Sequence, residues 1–178
     1  MDLRPTLSGP TLTLAPIGSE DYDGLYAAAS DPLIWALHPA RERWREEEFR
    51  RYFDDWLIKD GGLAIRERLS GRIIGASCYS LADRLPGEVE IGWTYLAREH
   101  WGGPTNREVK RLMIGHALQA MERVVFRIAE TNLRSRRAIE KIGATLTDRT
   151  EDIESGGRTV RHVVYAIGPD AALLREAE

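Results

Sequence analysis

The stretch of chain from residue 88 to residue 121 restricts the possible folds more than any other part of the sequence. Apolar and polar side chains alternate over residues 88–96, which predicts a β-strand. One face of this strand is expected to carry Val89, Ile91, Trp93 and Tyr95, and the other Glu88, Glu90, Gly92 and Thr94. A glycine-containing loop at residues 101–106 follows, and apolar residues at helical spacing then extend over residues 109–120. A strand, a glycine loop and a helix in this order are typical of an α/β domain.

Apolar periodicity and turn residues predict the remaining elements. The other predicted strands lie at residues 11–14, 63–65, 72–79, 124–128, 144–153 and 159–167. The other predicted helices begin at Ser19, Asp31, Arg43 and Asn132. The predicted order is therefore β-α-α-α-β-β-β-α-β-α-β-β, an α/β fold with a mixed central sheet. No linker-like segment interrupts this order, so we expect a single domain over residues 1–178 with its core at residues 5–170.

Composition argues against several classes of protein. A net charge of -3 provides no basic field of the kind that nucleic-acid binding requires. The single cysteine, Cys78, cannot form an internal disulfide and is expected to be an inert core thiol. The sequence has no apolar run of about 20 residues and no basic-then-apolar start. We therefore expect a cytoplasmic protein that binds neither nucleic acid nor membranes, and we identify no metal site.

The loop at residues 101–106 leads into the start of a helix. Helix starts carry unpaired N–H groups and partial positive charge, and Gly102 and Gly103 would let a phosphate approach the backbone closely. The loop alone fits two interpretations, a pyrophosphate cradle or a tight strand-to-helix connection without a ligand. It matches neither a P-loop nor a complete dinucleotide-binding glycine motif.

A second motif favours the cradle. Residues 132–144 read Asn-Leu-Arg-Ser-Arg-Arg-Ala-Ile-Glu-Lys-Ile-Gly-Ala. This segment resembles the pattern Asn-x-x-Ser/Ala-x-x-x-x-Glu-Lys-x-Gly-Phe/Ala of the GNAT superfamily of N-acetyltransferases. Residues 90–96 and the Trp101-Gly102-Gly103 loop resemble the acetyl-CoA motif of the RimJ/RimL branch. The order and spacing of the two blocks and the predicted element order resemble the whole family fold, whose sheet is splayed at the acetyl-CoA site.

The resemblance implies a binding site for acetyl-CoA. The expected cofactor contacts of the central strand and loop are Trp93, Thr94, Tyr95, Leu96, Trp101, Gly102, Gly103, Pro104, Thr105 and Asn106. Asn132 and Ser135 would face the cofactor from the neighbouring strand and helix. Candidates for its adenosine phosphate are Lys110, Arg111, Arg136 and Arg137.

Two positions depart from the family pattern. Pro104 stands where a second small residue is expected, and it removes one N–H donor that Thr105 and Asn106 would have to replace. Ile139 stands where many members carry a tyrosine that acts as the acid. Ser135 is the substitute that RimL-like members suggest.

The resemblance further implies direct transfer of acetyl to a primary amine in a ternary complex. An α-amino group has a pKa near about 8 and a lysine side chain near about 10.4, so neutralising an N-terminal amine requires less free energy. Glu90 is the candidate base or amine-positioning group, Glu88 is the second candidate, and Ser135 would polarise the departing sulfur. Both glutamates could instead form a solvated strand face.

The acceptor is open at this level. A protein N-terminus and a small-molecule amine both fit, as do two non-catalytic alternatives, an acyl-CoA-binding regulatory domain and an adaptor that has lost its cofactor. Trp35, His38, Pro39 and Trp44 lie where the family builds its acceptor wall, although core packing is the favoured interpretation, as it is for His116. The chain is expected to be a monomer or a homodimer.

Overall fold

The structure of the protein is a computed structural model that describes residues 1–58, 61–155 and 158–175. Its strands are β1 (Leu7–Ser8), β2 (Leu12–Pro16), β3 (Gly62–Glu67), β4 (Ile73–Ser80), β5 (Glu88–Leu96), β6 (Arg123–Ala129), β7 (Thr145–Ser155) and β8 (Arg158–Ile167). Its helices are α1 (Tyr22–Ala29), α2 (Pro32–Trp35), α3 (Glu46–Ile58), α4 (Thr105–Ala117), α5 (Leu133–Glu140) and α6 (Ala172–Arg175). The observed order confirms the predicted one and adds β1 before it and α6 after it.

The strands form one mixed sheet in the order β1-β2-β3-β4-β5-β6-β8-β7. Neighbouring strands are antiparallel except β5 and β6, which run parallel. The parallel pairing joins residues 88–90 to residues 123–125. Beyond this segment β5 and β6 are no longer paired, so the sheet opens toward the C-terminal ends of both strands.

Each face of the sheet packs against its own set of helices. On one face, α4 contributes Val109, Met113 and Ile114 to an apolar core that also contains Ile139 of α5 and Leu173 of α6. On the other face, α1, α2 and α3 form an aromatic core with Tyr22, Trp35, Phe49, Tyr52, Phe53 and Trp56. The opening between β5 and β6 therefore lies between the apolar core on one face of the sheet and the aromatic core on the other.

A bulge interrupts β5 beside this opening. Gly92 pairs with Cys78 of β4 and Tyr95 pairs with Ala76, so two residues of β5 stand opposite one residue of β4. Trp93, inside the bulge, has a φ of +53°, in the left-handed region that residues other than glycine rarely adopt. Such bulges redirect side chains and bend the strand that carries them.

Because of the bulge, the side chains of β5 lie on other faces than the alternation predicts. Val89 and Ile91 belong to the α4 core, whereas Trp93 and Tyr95 pack with the aromatic core. The prediction that these four side chains share one face was wrong, because an inserted residue reverses the alternation of all residues after it. Periodicity alone carries no signal for such an insertion.

The remaining predictions concern single residues, one turn and membrane spans. Cys78 is buried, as predicted. His116 is only partly buried, and its Nε2 lies 2.9 Å from the carbonyl oxygen of Asp2, so the ring sits at the edge of the core. The predicted turn glycines Gly156 and Gly157 lie outside the described residues. None of the described helices is long and apolar enough to cross a membrane.

Candidate active site

A cavity of about 170 Å³ lies where β5 and β6 separate. Residues 91–94 of β5 and residues 126–129 of β6 form two of its sides. α4 and the start of α5 contribute polar side chains, and the segment from α2 to α3 contributes aromatic and basic ones. The cavity therefore extends from the first turns of α4 and α5 to the aromatic core.

The bulge of β5 forms part of the cavity wall. Trp93 and Thr94 line the cavity, and the Tyr52 hydroxyl of α3 donates a hydrogen bond to the carbonyl oxygen of Trp93 at 3.4 Å. Tyr95 and Leu96 are buried away from the cavity, where Tyr95 packs in the aromatic core and Leu96 in the apolar core beneath α4. The structure thus brings two of the four predicted β5 contacts to the cavity.

The loop before α4 presents its backbone to open space. Gly102 has a φ of +72°, and a Cβ atom added to Gly102 or Gly103 would meet no atom within 4 Å. Pro104 is the N-cap residue of α4, and Thr105 and Asn106 begin its first turn. Asn106 also lines the cavity. A diphosphate could therefore approach the loop and the positive end of α4 without a steric clash.

Trp101 and Arg134 connect this loop to the helices of the aromatic core. The Trp101 indole donates a hydrogen bond to the carbonyl oxygen of Leu96 at 3.0 Å. The Arg134 guanidinium lies 4.2 Å from the centroid of the Trp101 ring and donates to the carbonyl oxygens of Leu33, at 3.1 Å, and Ile34. The loop is therefore tied to the end of β5 and, through Arg134, to α2, so Arg134 has an architectural role.

Lys110 reaches the cavity from α4 as a buried amine. The residue is 2% exposed, and its Nζ donates a hydrogen bond to Oγ1 of Thr94 at 2.7 Å. Oγ1 of Thr94 also lies 2.7 Å from Oγ of Ser77, and the ammonium stands 5.6 Å from the ring centroid of Phe126. Burial lowers the pKa of Lys110 to about 7, because no carboxylate of the described residues compensates its charge.

The start of α5 supplies two of the predicted site residues. Asn132 is buried, and its side-chain oxygen caps the helix by accepting a hydrogen bond from the backbone N–H of Ser135 at 3.2 Å. Both residues line the cavity, together with Ile139 one turn later. Arg137 is exposed outside the cavity, whereas Arg136 donates to the Tyr165 hydroxyl at 3.0 Å.

Glu88 and Glu90 are buried in ion pairs and do not form a solvated strand face. Glu90 binds Arg127 of β6, with Oε2 at 2.8 Å from one guanidinium nitrogen, and Glu88 binds Arg149 of β7 at 3.0 Å. Arg127 also pairs with Glu151 at 3.0 Å. Arg127 lines the cavity, whereas neither Glu88 nor Glu90 does. The two carboxylates therefore stand behind the cavity wall, bonded to arginines.

The far end of the cavity is an aromatic and basic wall. Trp35, His38 and Pro39 line it together with Arg43 and Tyr52. The guanidinium carbon of Arg43 lies 3.9 Å from the centroid of the Tyr52 ring and 5.6 Å from that of Trp35. Trp35 is 3% exposed and thus belongs both to the core and to the cavity wall. Trp44, the other predicted wall residue, does not line the cavity.

Two imidazoles line the cavity, and they are held differently. Nδ1 of His38 accepts a hydrogen bond from the backbone N–H of Ala40 at 3.0 Å. Burial and the nearby Arg43 lower the pKa of His38 to about 3, so this ring is neutral at physiological pH. Nδ1 of His162, on β8, lies 2.9 Å from the carbonyl oxygen of Val160. A proton on that Nδ1 leaves Nε2 of His162 as a hydrogen-bond acceptor.

Sequence reasoning missed Arg43, Tyr52 and His162 as site residues. Arg43 stands in a segment rich in both charges that reads as a wet helix face, and Tyr52 falls on the apolar stripe of α3. His162 belongs to a hairpin strand that pairs with β6, and only this pairing brings it to the opening. The alternation of apolar and polar residues in β8 weakly indicates which face of the strand carries His162, but it does not indicate that this face meets a cavity.

Comparison with known proteins agrees with this geometry. A profile of the acetyltransferase (GNAT) domain matches residues 11–145, which is more than half of the chain. The protein therefore belongs to the GNAT family of acetyltransferases. No curated protein matches its sequence.

Solved structures show the same fold at low sequence identity. A GCN5-related N-acetyltransferase from Brucella melitensis is 22% identical, with a TM-score of 0.80 over 97% of this chain and 83% of that one. A GNAT-family acetyltransferase from Bacillus anthracis is 16% identical, with a TM-score of 0.74 over 92% and 98% of the two chains. RimJ of Mycobacterium smegmatis, solved in complex with CoA-disulfide, is 15% identical, with a TM-score of 0.71 over 96% and 91%.

Proposed function

We propose that the protein is an acetyl-CoA-dependent N-acetyltransferase that moves acetyl directly to a primary amine. The observation that carries the proposal is the cavity between the separated strands β5 and β6. One end meets the first turn of α4, which suits a diphosphate, and the other meets the wall of α2 and α3, which suits a second substrate. Two substrates can therefore meet at the bulge without a covalent enzyme intermediate.

The residues at the α4 end fit coenzyme A. The open backbone at Gly102 and Gly103, with Thr105 and Asn106, would hold the diphosphate, although Pro104 supplies no N–H. Acetyl-CoA would supply the acetyl group as an activated thioester. The buried Lys110 suits the inner arm of the cofactor rather than its adenosine phosphate.

Polar groups of β5, α4 and α5 surround the place of the thioester. Thr94 and Lys110 would contact the thioester from β5 and α4, and Asn132 and Ser135 would contact it from the start of α5. The exposed Arg137 and the partly exposed Arg111 are left as the candidates for the adenosine phosphate. Ser135 would donate a hydrogen bond to the departing sulfur, because Ile139 offers no acid at the following turn.

The acceptor amine must lose a proton during transfer. An α-amino group is nearly half neutral at a pH close to its pKa of about 8, so a modest base suffices. His162 is the candidate base, because its Nδ1 lies 2.9 Å from the carbonyl oxygen of Val160 and a proton on Nδ1 would leave Nε2 to accept the proton of the amine. Glu90 acts as a positioning group through Arg127, since its carboxylate is bonded to that guanidinium. Glu88 has the corresponding structural role toward Arg149.

A protein N-terminal amine is one acceptor that fits the proposal. The fold likeness to RimJ and the lower free energy of neutralising an α-amine support assignment to the RimJ/RimL branch. A small-molecule amine with a comparable pKa fits the cavity equally well. Both acceptors use the same cofactor site and the same proton transfer.

Thermal unfolding with and without acetyl-CoA tests the cofactor site. A ligand at about 100 times its dissociation constant stabilises the native state by about 2.7 kcal/mol, so acetyl-CoA should raise the melting temperature by several degrees. Gly103→Asp should abolish this shift, because it places a negative charge where the diphosphate would bind. Gly168→Asp is the matched control, since Gly168 also faces open space but lies outside the site.

Release of free thiol on a panel of amines then tests catalysis. Turnover with peptide N-termini or small amines is the expected result. Stabilisation by acetyl-CoA without turnover on any amine would instead favour a regulatory acyl-CoA-binding domain. Absence of any stabilisation in the wild-type protein would overturn the cofactor assignment itself.

A further inference from the structure

Arg43 stands at the α2–α3 end of the cavity and has no carboxylate partner among the described residues. Its guanidinium stacks on Tyr52 and approaches Trp35, and no ion pair or hydrogen bond joins it to any other described residue. Arg45, two positions later, has its Nε 2.7 Å from a carboxylate oxygen of Glu42. Stacking occupies one face of the Arg43 guanidinium and leaves its N–H edge for an acceptor in the cavity.

The other charges of the cavity leave this end positive. None of the described lining residues is an aspartate or a glutamate. Arg127 is neutralised by Glu90 and Glu151, and Lys110 lies at the opposite end on α4. Arg43 is therefore the uncompensated cation of the wall that the acceptor would face.

This charge distribution has a consequence for the acceptor. A polycationic amine would be repelled, because like charges at close range are unfavourable and no carboxylate binds the second ammonium. An acceptor that carries a carboxylate would instead form a charge-assisted hydrogen bond with Arg43. The same positive field favours the neutral, reactive form of the amine.

We propose that the acceptor is a primary amine that also bears a carboxylate, and that Arg43 binds this carboxylate. The inference rests on the proposed acetyl transfer and names the substrate class of that site. Arg43 would be a specificity-determining residue.

Tyr52 sets the distance between the carboxylate and the amine. Its ring carries the Arg43 guanidinium at 3.9 Å, and its hydroxyl contacts the carbonyl oxygen of Trp93 at 3.4 Å. One tyrosine side chain thus separates the carboxylate site from the bulge at which acetyl transfer would occur. The amine and the carboxylate of the acceptor should therefore be only a few bonds apart, as in an amino acid or in a peptide with an acidic residue near its N-terminus.

Matched acceptor pairs test this inference. Initial rates of thiol release are measured for the wild-type protein, Arg43→Gln and Arg45→Gln on amino acids and their carboxamides, and on peptides with Glu or Gln at the second position. A charge-assisted hydrogen bond contributes an amount equivalent to roughly 10- to 100-fold in kcat/KM, so Arg43→Gln should lower kcat/KM by that factor for carboxylates. The carboxamides should change less than threefold, and Arg45→Gln should change neither class.

The comparison controls for amine basicity and for folding. Each acceptor is compared with itself across variants, so differences in amine pKa within a pair cancel. The stabilisation by acetyl-CoA should be the same in Arg43→Gln as in the wild-type protein, which shows that the variant is folded and binds cofactor. The amino-acid and peptide arms distinguish a free small molecule from a protein N-terminus as the source of the carboxylate.

Three results would overturn the inference. Equal wild-type kcat/KM for both members of every pair, expressed per neutral amine, contradicts the carboxylate requirement but leaves acetyl transfer intact. An undiminished preference for carboxylates in Arg43→Gln contradicts the role of Arg43. Absence of both acetyl-CoA binding and turnover overturns the proposed function and, with it, this inference.

Discussion

At the scale of the residue, Lys110 is buried although the charged residues near it in the sequence are partly exposed. It follows a buried valine on the helix α4 and is itself 2% exposed, although nearby arginines of that helix are partly exposed. Its hydrogen bond to Thr94 replaces only part of the hydration that a free ammonium has. The burial therefore opposes the charged form, and the native state tolerates this penalty at the wall of the cavity.

Replacement of Lys110 by methionine should make the stability less dependent on pH. The native pKa of about 7 lies below the value near 10.5 of a free lysine, so between these values the unfolded chain binds a proton that the native protein does not. Lys110 therefore destabilises the native state most at and below pH 7, and this penalty declines as the pH rises toward 10.5. The free energy of unfolding of Lys110→Met, relative to that of the wild type, should therefore be higher at pH 6 than at pH 10 by an amount on the order of 3 kcal/mol.

Urea unfolding at both pH values measures this difference. Lys141→Met, at the exposed C-cap position that follows α5, is the matched control and should show the same stability relative to wild type at pH 6 and pH 10. A pH-independent difference for Lys110→Met would show that Lys110 is charged in the native state throughout this range.

At the scale of the element, one carboxylate holds the first turn of α4 against the edge of the sheet. Oε1 of Glu108 accepts hydrogen bonds from the backbone N–H groups of Thr11, at 2.9 Å, and Leu12, at 3.0 Å. A glutamate in the first helical turn is also favourable for the helix dipole. The contact fixes the helix start at which the diphosphate would bind.

Glu108→Ala should therefore lower the free energy of unfolding by about 2 kcal/mol, since it removes charge-assisted hydrogen bonds to two backbone donors. Glu108→Gln should recover part of the loss because its amide oxygen can still accept. Glu47→Ala, in the first turn of α3, removes an exposed pair with Arg51 and should cost less than about 0.5 kcal/mol. Equal losses for Glu108→Ala and Glu47→Ala in chemical denaturation would contradict an anchoring role.

At the scale of the whole molecule, buried and partly buried charged side chains connect the strands where the backbone pairing of β5 and β6 ends. Glu90 of β5, Arg127 of β6 and Glu151 of β7 form a continuous chain of ion pairs, and the second pair reaches past β8, which lies between β6 and β7. Arg84, whose side chain is 2% exposed, stands 3.9 Å from Glu90 and 3.6 Å from Glu151. These contacts lie at the last paired residues of β5 and β6, so side-chain charges continue the connection that backbone hydrogen bonds no longer make.

Arg127→Met should destabilise the protein by about 3 to 5 kcal/mol, because it leaves Glu90 buried without its closest partner. The double variant Glu90→Met/Arg127→Met should be less destabilised than the sum of the single variants, since it removes the buried charge together with its partner. A double-mutant cycle by urea unfolding measures this coupling. Additive losses would show that the two side chains do not depend on each other.

The local pattern of the sequence was sufficient for the order of elements and for the position of the glycine loop before α4. Alternation, helical spacing and the glycines at 102 and 103 are properties of neighbouring residues, so they located the strands, the helices and the loop, although not the faces of β5 beyond its bulge. The motif at residues 132–144 likewise identified the family, because its spacing is that of one capped helix beside the cavity.

Only the tertiary structure decided which side chains form the site. The bulge at Trp93 reversed the faces of β5, and the arginines of β6 and β7 converted Glu88 and Glu90 from an expected wet face into buried ion pairs. Arg43 and His162 reach one cavity from segments more than 100 residues apart. Their proximity depends on strand order and helix packing, which are long-range properties that no local periodicity encodes.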